Sequence, residues 1–283
     1  MADLLREFQT LVRAETKGIN INVRDILNRL SYCPLGRSLR LEVCSETLVI
    51  FRDDDLIALN KPPGLAVQGG TNVVENLDSM LECLRFDGPE RPKLVHRLDK
   101  GASGLLLVAR NAFSASKITS AFRNRKVLKT YWALVMGIPP KKSGQISATI
   151  KKMGSPGRQS MQLTKVEGKH SKTKFRVLEQ AGKRVTWLAL EPITGRTHQL
   201  RVHCNLIGTP ILGDGKYGGS RAFLENSSNR KLLHLHSRSL GFEHPRGGWI
   251  KLEAPLSKEM KKSWLNLGFN PNQTDGSFNK KIV

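Results

Sequence analysis

The alternation of apolar and polar positions becomes regular at Glu46. Leu48-Val49-Ile50-Phe51 and Leu56-Ile57-Ala58-Leu59 flank the run Arg52-Asp53-Asp54-Asp55, which predicts two strands around an acidic turn. Pro62-Pro63-Gly64 and Gly69-Gly70 break the chain after them. Apolar residues at 77, 80, 81 and 84 have helical spacing, so Val74 to Arg85 is expected to be helical. The uninterrupted Leu105-Leu106-Leu107-Val108-Ala109 reads as a buried strand. Asn111 is a good N-cap for a helix through Lys126, with Phe113, Ile118, Ala121 and Phe122 as its apolar face. From Lys129 to Met136 the pattern returns to alternation, with Tyr131, Ala133 and Val135 on one face.

Lys141 to Lys174 is rich in Lys, Gly and Ser and is expected to hold short strands and exposed loops. Val185 to Leu190 is a further strand. A helix is expected from His198 to Ile207, stopped by Gly208, with His198, Arg201 and Asn205 on one side. Leu235 to Phe242 and Trp249 to Leu252 are late strands. Strands and helices mix without a regular βαβ rhythm and without internal repeats, which favours an α+β fold. The expected organisation is a basic N-terminal region over 1–45 with one short helix at Asp25 to Leu30, a main domain over 46–268, and a polar, disordered tail over 269–283.

Composition adds a partner. The chain carries 46 Lys+Arg against 24 Asp+Glu, a formal charge of +22, and such a surplus suits a polyanion. Nucleic acid leads on charge, with an anionic membrane surface behind it. The membrane alternative lacks a strongly basic amphipathic helix, and no apolar run approaches the roughly 20 residues that span a bilayer. No secretory signal or good transit peptide is visible at the start, where Asp3, Glu7 and Glu15 interrupt the pattern. Cys33, Cys44, Cys83 and Cys204 form no Cys-x-x-Cys pair, so four free thiols are expected.

Two segments concentrate chemistry. His96-Arg97-Leu98-Asp99-Lys100 puts four ionisable groups within five residues, before the turn Gly101-Ala102-Ser103-Gly104. If the chain is extended there, Arg97 and Asp99 point the same way. Nearby positive charge favours an ionised carboxylate, which can attack or deprotonate an electrophilic centre. A surface ion-pair cluster at a strand end would use the same residues. Thr194-Gly195-Arg196-Thr197-His198-Gln199-Leu200-Arg201-Val202-His203 gathers cations at a helix start, where a phosphate could sit. A solvated basic face is the alternative. The pairs His198/His203 and His234/His236 lack metal-site spacing and a carboxylate, so no metal is expected. Gly213-Asp214-Gly215-Lys216-Tyr217-Gly218-Gly219 lacks P-loop spacing and reads as a flexible loop.

Taken together, these segments resemble the RluA family of pseudouridine synthases, and its RluC-like branch in particular. The resemblance rests on Ile57 to Gly64, Leu94 to Asp99, Ser103 to Ala109, Lys129 to Val135, Thr194 to His203, and Gly213 to Gly218, in the family's order. It implies an α+β fold with a mixed, mostly antiparallel sheet and a central RNA-binding cleft. It implies Asp99 as the catalytic carboxylate, Tyr131 stacked on the target base and helping to deprotonate C5, and Arg201 ion-paired with the aspartate. It implies RNA contacts from Arg97, His96, Lys61, Arg196 and His198, with Arg97 filling the gap left by a flipped nucleotide. No cofactor is expected. The partner is RNA, foremost large-subunit ribosomal RNA, with tRNA or mRNA as alternatives; the expected state is a monomer. An organelle such as the mitochondrion is favoured over a bacterial cytoplasm.

The sequence also departs from the family. Gly101-Ala102 stands where a polar residue and Thr are usual, which removes a turn hydroxyl and predicts a less rigid aspartate loop. Gln68 replaces a frequent His. Residues 1–45 occupy the place of an S4-type domain without its pattern. A noncatalytic RNA-binding or ribosome-assembly factor on the same fold is the competing reading.

Overall fold

A computed structural model describes residues 47–70, 75–155, 159–225 and 232–272, all within the compact unit Glu42–Val283. The region 1–45, the helix expected at Asp25 to Leu30, and the tail beyond 272 lie outside the described residues.

The chain enters through β1 (Val49–Arg52) and β2 (Leu56–Lys61), then α1 (Leu77–Met80) continued by a 3-10 turn at Leu81–Leu84. Next come β3 (Lys93–Leu94), β4 (Ser103–Ala109), α2 (Ala112–Arg123) and β5 (Leu128–Met136). Asn111 caps α2 as expected, its Oδ1 accepting from Ser114 N–H at 2.8 Å. A long hairpin follows, β6 (Ser143–Met153) with β7 (Ser160–Leu163), and then β8 (Lys169–Ala181) and β9 (Val185–Pro192). The chain closes with α3 (Gln199–Leu206), α4 (Gly215–Gly218), β10 (Leu235–Glu243), β11 (Trp249–Glu253) and α5 (Lys258–Asn266).

All described strands join one sheet in the order β1-β2-β4-β10-β5-β9-β8-β6-β7, with β11 on β10 and β3 on β4. Among the named strands only β4 and β10 run parallel, through His236 opposite Ser103 and Ser237 opposite Gly104. The mixed, mostly antiparallel α+β architecture is the one expected. The stretch Lys141 to Lys174 corrects the expectation of short strands: β6 spans 11 residues and β8 spans 13. The buried positions of these two strands are Ile146, Ile150, Ser171, Thr173 and Phe175. Small hydroxyl residues in that set hide the alternation from a hydrophobicity reading.

Strand alternation sends side chains to two faces. On one face, Ile57, Leu59, Leu106 and Val108 pack under α1, while Ala133, Val135, Leu188 and Leu190 pack under Leu200 and Cys204 of α3. Tyr131 touches both of these clusters and so stands at the groove between them. On the other face, Leu105, Leu107 and Ala109 pack against Ile118 of α2, and Trp132, Leu134 and Trp187 pack against Met260 and Trp264 of α5. Phe269 also belongs to this second cluster, 2% exposed, so the packed body runs past the boundary expected at 268. Its ring finds a partner in Trp187, at 5.8 Å between centroids.

The cysteine expectation is corrected as well. Cys204 is a free, buried thiol, whereas Cys83 is disulfide-bonded.

Candidate active site

Asp99 lies in the loop that turns from β3 into β4, at the mouth of the groove beside Tyr131. The loop is tied down by backbone donors. Ala102 N–H donates to Asp99 O at 3.0 Å and Gly64 N–H to Lys100 O at 2.8 Å. Ala102 is 2% exposed and packs in the cluster under α3, and a Cβ on Gly101 would meet Leu233 Cδ2 at 3.3 Å. The loop is therefore anchored without the hydroxyl it lacks, contrary to the loose turn expected there.

Lys61 does much of this anchoring. It is 1% exposed, and its ammonium donates to the carbonyls of Pro62 (2.8 Å), Leu65 (2.9 Å) and Lys100 (3.3 Å). Three hydrogens meet three acceptors, which satisfies a buried cation. Burial lowers the Lys61 pKa to about 7, against the opposing pull of Asp99. Lys61 thus cannot contact RNA as expected, because its charge is spent on three backbone carbonyls beneath the aspartate loop.

His96 is corrected in the same sense. Its ring stacks on Phe122 of α2, 4.3 Å between centroids, and Nε2 accepts from Leu107 N–H at 2.8 Å. Burial, with help from Lys129, pushes its pKa down to about 3. A neutral, packed imidazole on the α2 side of the sheet is no phosphate ligand. Arg97 by contrast is exposed and donates to Gln68 Oε1 at 3.2 Å.

The second sequence segment supplies the opposite wall. Gln199, the first residue of α3, is 3% exposed and organises the loop before it. Its Oε1 accepts from Thr194 Oγ1 (2.6 Å) and Arg196 N–H (3.1 Å). Its amide donates to Lys172 O and Thr173 Oγ1, both at 2.9 Å. Arg196 stays partly exposed, with Nε 3.4 Å from His170 O. His198 takes a left-handed φ of 52° at the start of α3 rather than lying within the helix.

Arg201 reaches into the groove, where Nη1 stands 4.0 Å from Asp99 Oδ2, an ion pair without a hydrogen bond. Its tighter partner is Asp214, which accepts from Nε at 2.8 Å and from Nη2 at 2.7 Å. Asp214 is 1% exposed and also accepts from Tyr217 N–H at 3.3 Å, capping α4. The Arg201 guanidinium carbon lies 5.0 Å from the centre of the Tyr217 ring. The Gly-rich segment is therefore an ordered clamp on Arg201, not a flexible loop. Asp214 and Tyr217 were the functional candidates missed from sequence. The available signal was a lone carboxylate inside a glycine-rich run, where only a bidentate partner for an arginine would justify its burial.

Tyr131, Lys61, His198, Arg201 and Tyr217 all lie within electrostatic reach of Asp99. Burial, and then the Asp99 charge, raise the Tyr131 phenol to about 12, so it is protonated at neutral pH. Burial lowers the His198 pKa despite Asp99. Asp99, Tyr131 and Arg201 thus converge on one groove, with Arg97 and Arg196 at the surface and Lys61 beneath. Two further histidines are taken up by buried contacts: His203 by Ser171 and Thr173, His236 by Ser103 and Ala254 O.

A single carboxylate faced by an arginine and a protonated tyrosine, in a groove of a mixed sheet, matches a known architecture. The family model for RNA pseudouridylate synthase matches residues 55–206. This chain belongs to the RNA pseudouridylate synthase family. The mitochondrial RNA pseudouridine synthase 4 of Arabidopsis thaliana is 46% identical over 198 residues, covering 62% of this chain and 41% of that protein. Ribosomal large subunit pseudouridine synthase C of Rickettsia conorii is 41% identical over 209 residues, 74% of this chain and 67% of that protein. This chain therefore spans less than half of the plant pseudouridine synthase. The structure of human RNA pseudouridylate synthase domain containing 4 superposes with a TM-score of 0.68 at 27% identity, over 81% of this chain and 96% of that one.

Proposed function

We propose that this chain isomerises uridine to pseudouridine within structured RNA, with large-subunit ribosomal RNA as its substrate and Asp99 as the catalytic carboxylate. One observation carries the reading: the Asp99 carboxylate lies 4.0 Å from an arginine that is itself locked bidentately to buried Asp214. A surface ion-pair cluster would not bury a second carboxylate to aim its cation. The substrate reading is supported by the rickettsial relative, whose name specifies the large ribosomal subunit, and the mitochondrial relative supports an organellar setting.

The reaction needs a uridine taken out of its stack, which costs a few kcal/mol. Arg97, whose exposure supports this role, fills the vacated space. The N1–C1′ bond breaks, the uracil turns, and a C5–C1′ bond forms; N1 gains a proton and C5 loses one. Asp99 serves either as nucleophile at C1′ or as base toward the sugar. Tyr131, protonated, supplies a flat face for the base and a hydroxyl at the groove floor. Arg201 holds the carboxylate's direction through the step.

The test follows tritium at uridine C5, which isomerisation releases to water. RNA labelled at that position, taken from cells lacking the gene, is incubated with the protein. Wild type releases tritium; Asp99→Ala releases none while binding the same RNA within about threefold. Release by Asp99→Ala above one hundredth of the wild-type rate sinks the assignment. Failure of wild type to release any, with binding intact, favours the noncatalytic factor.

A further inference from the structure

The start of β7 lies against the Gly-rich segment of the catalytic groove, and one side chain joins the two. Tyr217 Oη accepts from Met161 N–H on β7 at 3.1 Å and lies 2.6 Å from His198 Nδ1. The neighbouring Lys216 Nζ donates to Gln159 O at 2.6 Å, a second tie to the same hairpin. With Met161 on one lone pair, the phenol's single proton is free to go to His198 Nδ1, and in that arrangement the imidazole hydrogen sits on Nε2. The His198 ring stands edge-on to the Tyr217 ring at 5.6 Å, and the Arg201 guanidinium lies over that ring. Tyr217 N–H in turn donates to Asp214, the carboxylate that holds Arg201.

We propose that Tyr217 is a positioning residue whose hydroxyl couples the seating of the β6–β7 hairpin to the aim of His198 and Arg201 at Asp99. The proposal rests on Asp99 being the catalytic carboxylate. Met161 lies on an edge strand that pairs only with β6, through Lys152 opposite Met161, and its N–H is directed to Tyr217. Anything that lifts the hairpin removes that donor, frees the phenol, and releases the tautomer of His198. RNA gripping the hairpin is thereby felt at the carboxylate's neighbours without touching them.

Two variants approach this hydroxyl from opposite sides. Tyr217→Phe keeps the ring under Arg201 and deletes the oxygen. Met161→Pro removes the N–H, together with the methionine side chain, at an edge position where proline removes no ladder bond. Both are expected to lower kcat for tritium release at least tenfold while KM for the RNA moves less than threefold. In Tyr217→Phe the His198 imidazole, having lost a hydrogen bond to its neutral form, titrates at higher pH by NMR, and the acid limb of kcat moves with it. Unchanged kcat in both variants, or an unmoved His198 titration in Tyr217→Phe, overturns the proposal. A defect in Tyr217→Phe with none in Met161→Pro overturns the coupling to the hairpin. If Tyr217→Phe does not fold, Met161→Pro decides alone. Activity surviving in Asp99→Ala would remove the underlying reading instead, and is read from a separate variant.

Discussion

Lys61 and His96 show how far a residue's type can mislead about its task. A lysine in a basic chain suggests a phosphate contact, yet Lys61 is buried on three carbonyls with its pKa lowered to about 7. Nothing in Asn60-Lys61-Pro62-Pro63 distinguishes those outcomes, because the acceptors come from residues 65 and 100 as well. His96 failed for the same reason: its stack partner Phe122 is 26 positions away. Asp99, Tyr131 and Arg201 were legible because the resemblance assigns them, not because their spacing places them together. The burial of Lys61 has a pH signature. Below about pH 7 its proton is bound in both folded and unfolded chains. Between about 7 and 10.5 the folded chain releases it first, so rising pH stabilises the fold. Urea titrations should therefore show the advantage of wild type over Lys61→Met smallest at pH 6 and growing toward pH 9. An advantage that shrinks with pH contradicts a depressed lysine. For Tyr131→Phe, we expect kcat for tritium release to fall at least a hundredfold, with KM within threefold, if the hydroxyl acts on the base.

At the scale of elements, periodicity carried the strands of the central sheet and the capped helix α2, since their buried positions are aliphatic. It failed where burial used other residue types. The strand β8 buries Ser171 and Thr173 because they bond His203, and α4 exists because Asp214 caps it. The helix α5 went unread although Ser257 caps it and Met260 and Trp264 are buried at i, i+4 spacing. The segment around α4 yields a sharp prediction. Gly213 has φ +85°, and a Cβ there would lie 1.9 Å from Leu232 O. Gly213→Ala should displace Asp214 and reduce both thermal stability and kcat. Asp214→Asn separates the two effects. It keeps the turn but leaves Arg201 short of its charge partner, and should cost about 3 kcal/mol in chemical denaturation along with most of the activity. Full activity in Asp214→Asn would show that Arg201 needs no clamp.

On the scale of the whole molecule, the charge of +22 was legible at once and pointed to RNA before any motif did. The groove was not, because it is made by two hydrophobic clusters on one face of a sheet whose strands are ordered unlike the sequence. A protein this basic should bind RNA with a steep salt dependence. Contact with six phosphates predicts about a thousandfold loss of affinity between 50 and 200 mM salt, measured by filter binding. A slope near zero would mean that the surplus charge serves another end. The parallel pairing of β4 with β10 carries a last consequence, for synthesis. Asp99 is made early, but the strand behind it waits for Ser237 to fill its second edge, with Ser103 and His236 hydrogen-bonded across 133 positions. A chain still emerging from the ribosome holds the carboxylate, the tyrosine and the arginine, yet lacks the strand that sets them side by side. The order of translation thus defers assembly of the groove until β10 has been made, long after Asp99 has left the ribosome.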